Sequence, residues 1–274
     1  MTKHFITFGG RGFSLVFFPI ISNFKEYLGW TSVHNFPPNN WEVGCVKKKF
    51  VHLVWSDGKK WNSCNLGEIN PYESKKYFYH ELIKKTSNYS GLWLTLDDNR
   101  NLSFSAELGL DNNLKSSWPM WRATIGLSDH FSSVSYQGEI IPFRSNGTLL
   151  SFFPFLQIDP NITNYILLVS LESNPEIRNV NVDFHSMKKQ KKIRTLSLKS
   201  NNFNIVNISD MNITKDDVLI CSSRDMCAIP LLISSDDSGL ISFEHTHPPA
   251  SYAILGNRFQ IQGELKKIWF GKLN

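Results

Sequence analysis

Alternation of apolar and polar residues with a period of two constrains this chain more than any other feature. In residues 179–185, Val180, Val182 and Phe184 alternate with Asn179, Asn181, Asp183 and His185. Successive side chains of an extended strand point to opposite faces, so the pattern predicts a sheet with one dry face and one wet face. Strands of the same kind are expected at 148–153, 165–172, 192–199, 203–208, 218–221, 229–234 and 240–246. Turn chemistry separates them, at Asn146-Gly147, Asn174-Pro175 and Asp236-Asp237-Ser238-Gly239. Short strands at this spacing predict an all-β, antiparallel fold, sandwich-like or jelly-roll-like. Val180, Val182, Phe184, Leu196 and Leu198 should point into its core.

The first half carries the same period less regularly. Residues 50–55 run into Ser56-Asp57-Gly58-Lys59 and return at Trp61, which reads as a hairpin. A second hairpin is expected from 92–96 through Asp97-Asp98-Asn99-Arg100 back along 102–108. Residues 72–85 space Tyr77, His80, Glu81 and Lys84 at helical intervals with no internal Gly or Pro, which predicts one short helix. The apolar run at 13–21 contains Pro19, lacks a cleavage site and is far too short for a membrane span, so a buried strand is expected.

Seven of the eight tryptophans precede residue 122, and the best break in composition is Arg144-Ser145-Asn146-Gly147. The chain therefore reads as a Trp-rich β domain at 1–144 and a β-sandwich domain at 145–274. The segment around Trp269 is expected to return and pack on the first half.

Composition excludes several function classes. The 274 residues, 41% hydrophobic and 19% charged, can bury a full core without staples. A net charge of +5 is mild, and its densest basic cluster, Lys188-Lys189-Gln190-Lys191-Lys192, sits where a solvated hairpin tip is expected. Basic and aromatic residues do not interleave, so no nucleic-acid partner is expected. Cys45, Cys64, Cys221 and Cys227 form no Cys-x-x-Cys pair, and so few in so long a chain fit a reducing, cytoplasmic compartment. Six Asn-x-Ser/Thr triplets matter only on a secreted chain.

Two groups of residues carry chemistry. Trp118, Trp121 and Arg122, followed by Asp129, Tyr136 and Gln137, bring together aromatic rings and planar polar groups. Rings stack on the apolar face of a sugar and polar groups take its hydroxyls, so a carbohydrate partner is expected there. The second group is His245 and His247, which share a strand face and could present two imidazoles to one metal ion. His130 would supply a third nitrogen and Glu139 or Asp129 a carboxylate. Gly9-Gly10-Arg11-Gly12 fulfils no phosphate-binding fingerprint, and neither Gly-x-Ser-x-Gly nor His-Glu-x-x-His occurs. The sequence thus points to a non-catalytic binding or structural module without a cofactor, with carbohydrate as the favoured ligand. The alternative is a cupin-like enzyme holding one zinc, iron or manganese ion on the His-x-His strand.

Overall fold

The structure is a computed structural model. It describes residues 16–35, 47–87, 89, 91–104, 107–108, 122–138, 140, 142–143, 147–154, 156, 159–245 and 258–273. These form sixteen strands and two α-helices, with every strand pairing antiparallel, and the fold is an all-β sandwich type. Two compact units divide the chain. One comprises Met1–Phe143 with Leu171–Ile177, the other Arg144–Ser170 with Arg178–Asn274. The second unit is thus interrupted by seven residues that belong to the first, a detail that a single break near residue 144 does not capture.

The first unit contains β1 (Phe17–Pro19), β2 (Leu28–His34), β3 (Lys49–Ser56), β4 (Trp61–Ile69), β5 (Ser74–Phe78), α1 (Tyr79–Leu82), β6 (Leu92–Asp97), β7 (Arg122–Ser128) and β8 (Ser133–Gln137). They build two four-stranded sheets, in the orders β1-β6-β3-β4 and β5-β2-β7-β8. Phe18, Leu53, Leu94 and Ile69 from the first sheet meet Val33 and Ala123 from the second in one dry core. Burying each large side chain of this kind contributes about 1.5–3 kcal/mol. The β3–β4 hairpin forms as its sequence predicts, with Asp57 Oδ1 accepting from the backbone N–H of Lys59 and of Lys60, both at 2.9 Å.

Two expectations fail in this unit. Leu102, Ser103 and Phe104 form no strand, because β6 already has β1 on one edge and β3 on the other and offers no third edge. The helix expected across 72–85 shrinks to α1 and one turn of 3₁₀ helix at Ile83–Thr86, because Ser74–Phe78 adds to the open edge of β2. A row of inter-strand hydrogen bonds outweighs a weak helical preference.

Sheet β1-β6-β3-β4 is buried on its other face too. There Trp61 and Trp93 pack edge to face at 5.8 Å, and Trp61 Nε1 donates to the Ser173 carbonyl at 2.8 Å. Ser56 Oγ donates to the Pro175 carbonyl and Leu108 N to Ser173 O. Residues 171–177 are therefore stitched into the first unit.

The second unit contains β9 (Leu149–Phe153), β10 (Ile162–Val169), β11 (Asn179–Ser186), β12 (Lys191–Lys199), β13 (Phe203–Asn207), β14 (Leu219–Ser223), β15 (Ile229–Asp236), β16 (Ile241–His245) and α2 (Arg258–Lys272). Its sheets, β12-β11-β14-β9 and β13-β10-β15-β16, enclose a core of Phe153, Ile166, Leu168, Val182, Phe184, Val206, Leu219 and Leu232. Val180 and Phe184 are buried as their alternation predicts, and Leu196 and Leu198 pack on that core half-buried. Lys188 stands at the β11–β12 turn, ion-paired with Asp216, so the basic cluster caps a hairpin.

The C-terminal segment is a helix. Trp269 of α2 meets Phe152 edge to face at 4.9 Å, and Phe270 packs on Leu150 and Ile220. Arg224 lies over the Phe270 ring at 4.7 Å. Cys221 and Cys227 are thiols, not a bridge, and burial pushes the Cys221 thiol up. Among the described residues no helix is long and apolar enough to cross a membrane.

Candidate ligand-binding face

The outer face of sheet β5-β2-β7-β8 gathers the polar and aromatic groups that a binding site needs. Residues directly opposite each other share a face, so the register reads as rows. Ser74, His34 and Arg122 form one row, and Lys76, Ser32, Thr124 and Gln137 the next. Phe78, Trp30, Gly126 and Ser135 follow, then Leu28, Ser128 and Ser133. The intervening residues, Thr31, Val33, Ala123, Ile125 and Leu127, are buried on the opposite side.

Trp30 is the centre of this face. Its ring reaches onto the strand next door at Gly126, whose lack of a side chain makes the room. A Cβ at position 126 would stand 2.3 Å from Trp30 Cζ2 and 2.5 Å from Cε2, which no real contact permits. Cε2 is bonded to Nε1, so the indole N–H also lies over β7. Trp30 is 7% exposed, yet among the described residues its Nε1 has no hydrogen-bond partner. An unmet buried donor costs about 1–3 kcal/mol, and nearly all such groups in folded proteins are paired.

The surroundings are polar and fixed. His34 spans its sheet, with Nδ1 sharing a hydrogen bond with Ser74 Oγ at 2.8 Å and Nε2 one with Thr124 Oγ1 at 3.1 Å. Lys76 lies over the Trp30 ring at 3.8 Å and 5.1 Å from the centre of Phe78. Partial burial pushes its ammonium pKa down. His80, just beyond β5, packs tilted against Phe78 with ring centres 5.7 Å apart and leaves Nδ1 unpaired among the described residues.

Of the residues singled out from sequence, the structure describes Asp129, His130, Tyr136, Gln137 and the backbones of Arg122 and His245. Arg122 and Gln137 occupy register positions on the Trp30 face. Tyr136 stands opposite Ile125, on the core side of the sheet, where burial raises its phenol pKa. Asp129 closes the β7–β8 turn, accepting from the N–H groups of Phe131 and Ser132 at 2.7 and 2.6 Å, and those bonds hold its carboxyl below the usual range. His130 is exposed at the tip of that turn. Trp118, Trp121, Glu139 and His247 lie outside the described residues. His245 is placed by its backbone in β16, opposite Leu231. His130 thus belongs to the first unit and β16 to the second. Among the described residues no three His, Cys, Asp or Glu side chains come together as a metal-binding group.

A second polar cluster lies on the outer face of β11 and β14. His185 Nε2 and Ser222 Oγ are 3.3 Å apart and both are buried. Asp183 Oδ1 accepts from the Thr195 hydroxyl at 2.5 Å and pairs with Lys192, not with the imidazole. A histidine oriented by no carboxylate and a serine closed from solvent make a satisfied structural pair, not a nucleophile and base. The sequence matches no protein-family model and no curated protein.

Proposed function

We propose that this protein is a non-catalytic binding module that takes a saccharide on the outer face of β5-β2-β7-β8. The observation that carries the reading is the buried N–H of Trp30, which has no partner among the described residues and is set over β7 among hydroxyl and amide side chains. A sugar hydroxyl accepting from that N–H would relieve its cost, while the ring offers a flat apolar surface to the sugar's C–H face. Ser32, Thr124, Ser135 and Gln137 flank the ring and supply donors and acceptors in both roles. His34 is already held from both sides, so the site orders few groups on binding.

The test is a glycan array, followed by titration of the best ligand. Trp30→Ala should weaken binding about tenfold or more, combining a lost hydrogen bond with lost ring contact. Trp30→Phe keeps a ring without the donor and should fall between the two. Far-ultraviolet circular dichroism must show the fold intact in each variant. Saccharide binding that survives Trp30→Ala unchanged places the site elsewhere, and binding to no glycan ends the reading.

A further inference from the structure

None of the four strands of the binding face carries an Asp or a Glu: their sequences are LGWTSVH, SKKYF, RATIGLS and SVSYQ. The carboxylates nearest in sequence are already engaged. Glu73 accepts from Asn70 N at 2.7 Å and pairs with Lys75, and Asp129 is closed into its own turn. The Lys76 ammonium has an aromatic platform and no anionic partner among the described residues. Its position matters as much as its charge. At 3.8 Å from the ring centre it covers the surface on which a sugar would stack.

Resting on the saccharide reading above, we propose that Lys76 selects an acidic saccharide, one bearing a carboxylate or sulfate, by exchanging its contact with Trp30 for an ion pair with the ligand. A neutral sugar must push the ammonium off the indole and gives nothing back to it. An acidic sugar draws the same ammonium onto its own anion, so uncovering the ring and neutralising the ligand are one movement. The lysine stem has four rotatable bonds and a compact charge, which suits such a swing. The strands themselves need not move.

The exchange predicts effects of opposite sign from one substitution. Oligogalacturonate and its methyl ester share a backbone and differ in charge, as do sialyllactose and lactose, or a sulfated glycosaminoglycan and its desulfated form. Each pair is titrated against the intact chain and against Lys76→Ala and Lys76→Arg. In the unaltered protein the acidic member should bind more tightly, with an affinity that falls as salt is raised. Lys76→Ala should weaken the acidic member on the order of tenfold, the effect of one charge-assisted hydrogen bond. It should also strengthen the neutral member about two- to fivefold, since the ring no longer has to be uncovered. Lys76→Arg keeps the charge and should retain the acidic preference.

Equal binding of acidic and neutral members, or a Lys76→Ala loss common to both, overturns the selection while leaving the saccharide site standing. Binding of neither member of any pair overturns the site itself. Lys76 projects from an exposed strand surface, so the alanine variant is expected to fold, and circular dichroism checks it.

Discussion

His52 is buried to 1% exposure in β3, and its ring nitrogen Nε2 must carry the proton, because its 2.9 Å partner is the carbonyl of Asn99. Burial pushes its pKa below the ordinary 6.5, outweighing the Asn99 carbonyl and the nearby Asp97 that favour the charged ring. Burial does the same to His185, with Asp183 opposing and Lys192 assisting. A lowered folded pKa means that the unfolded chain binds the proton first as pH falls. Stability from these residues is therefore complete above 6.5 and is lost as pH drops toward the lowered folded values. The depressed carboxylates, Asp57, Glu73, Asp129, Asp216, Asp217 and Asp236, act further down, starting near 4.5 for the glutamate and 3.8 for the aspartates. The two windows separate. The urea midpoint of the unaltered protein should be lower at about pH 5 than at about pH 7.5, and the difference should shrink in His52→Gln/His185→Gln. A drop of unchanged size in the double variant would assign it to other groups.

At the scale of elements, β11 and β12 rank their own side chains. Phe184 is fully enclosed in the core of the second unit, whereas Leu196 sits half-buried on the edge strand β12. Phe184→Ala should cost about 3–5 kcal/mol by the shift of the urea midpoint at unchanged slope, and Leu196→Ala clearly less. Equal costs would mean that β12 is more deeply enclosed than its alternation implies. That alternation is why β11 and β12 were legible in the sequence to within a few residues, whereas β9, β10, β14 and β15, buried on both faces for most of their length, were legible as short apolar runs bounded by turn residues. Sheet β5-β2-β7-β8 was not legible, and β2 shows why. Its inward residues are Gly29, Thr31 and Val33, its outward ones Leu28, Trp30, Ser32 and His34, so apolar groups stand on both faces and the period disappears. Across β5 and α1, the spacing of Tyr77 and Glu81 fits one continuous helix, and only the vacant edge of β2 draws Ser74–Phe78 into a strand. The candidate site inherits both failures. Gln137 and Arg122 could be found by composition, but Trp30, His34 and Lys76 meet only through a register that no local pattern encodes.

At the scale of the whole chain, neither unit is one continuous segment. The polypeptide leaves the first unit at Phe143, returns to it for Leu171–Ile177, and leaves again. Those seven residues do structural work for the first unit. Leu171 is 0% exposed, Ser173 O receives the Trp61 indole N–H, Pro175 O receives the Ser56 hydroxyl, and Phe143 and Glu172 form a parallel bridge. A fragment ending at residue 143 keeps all eight strands of the first unit but loses these partners. Two buried donors would then go unmet, at about 1–3 kcal/mol each, and the apolar surface that Leu171 covers would face water. Set against a typical total of about 5–15 kcal/mol, that is a large share of the stability of one unit. Fragment 1–143 should therefore melt well below the first unit of the intact chain. Adding a synthetic peptide spanning 171–177 should raise its midpoint with the logarithm of peptide concentration once that exceeds the dissociation constant, by the mass-action stabilisation of any ligand that binds only the folded form. Trp61 reports the event directly, since its indole N–H regains a carbonyl and its fluorescence should shift to the blue. A fragment as stable as the intact unit, indifferent to the peptide, would show that residues 171–177 merely pass across the sheet without holding it.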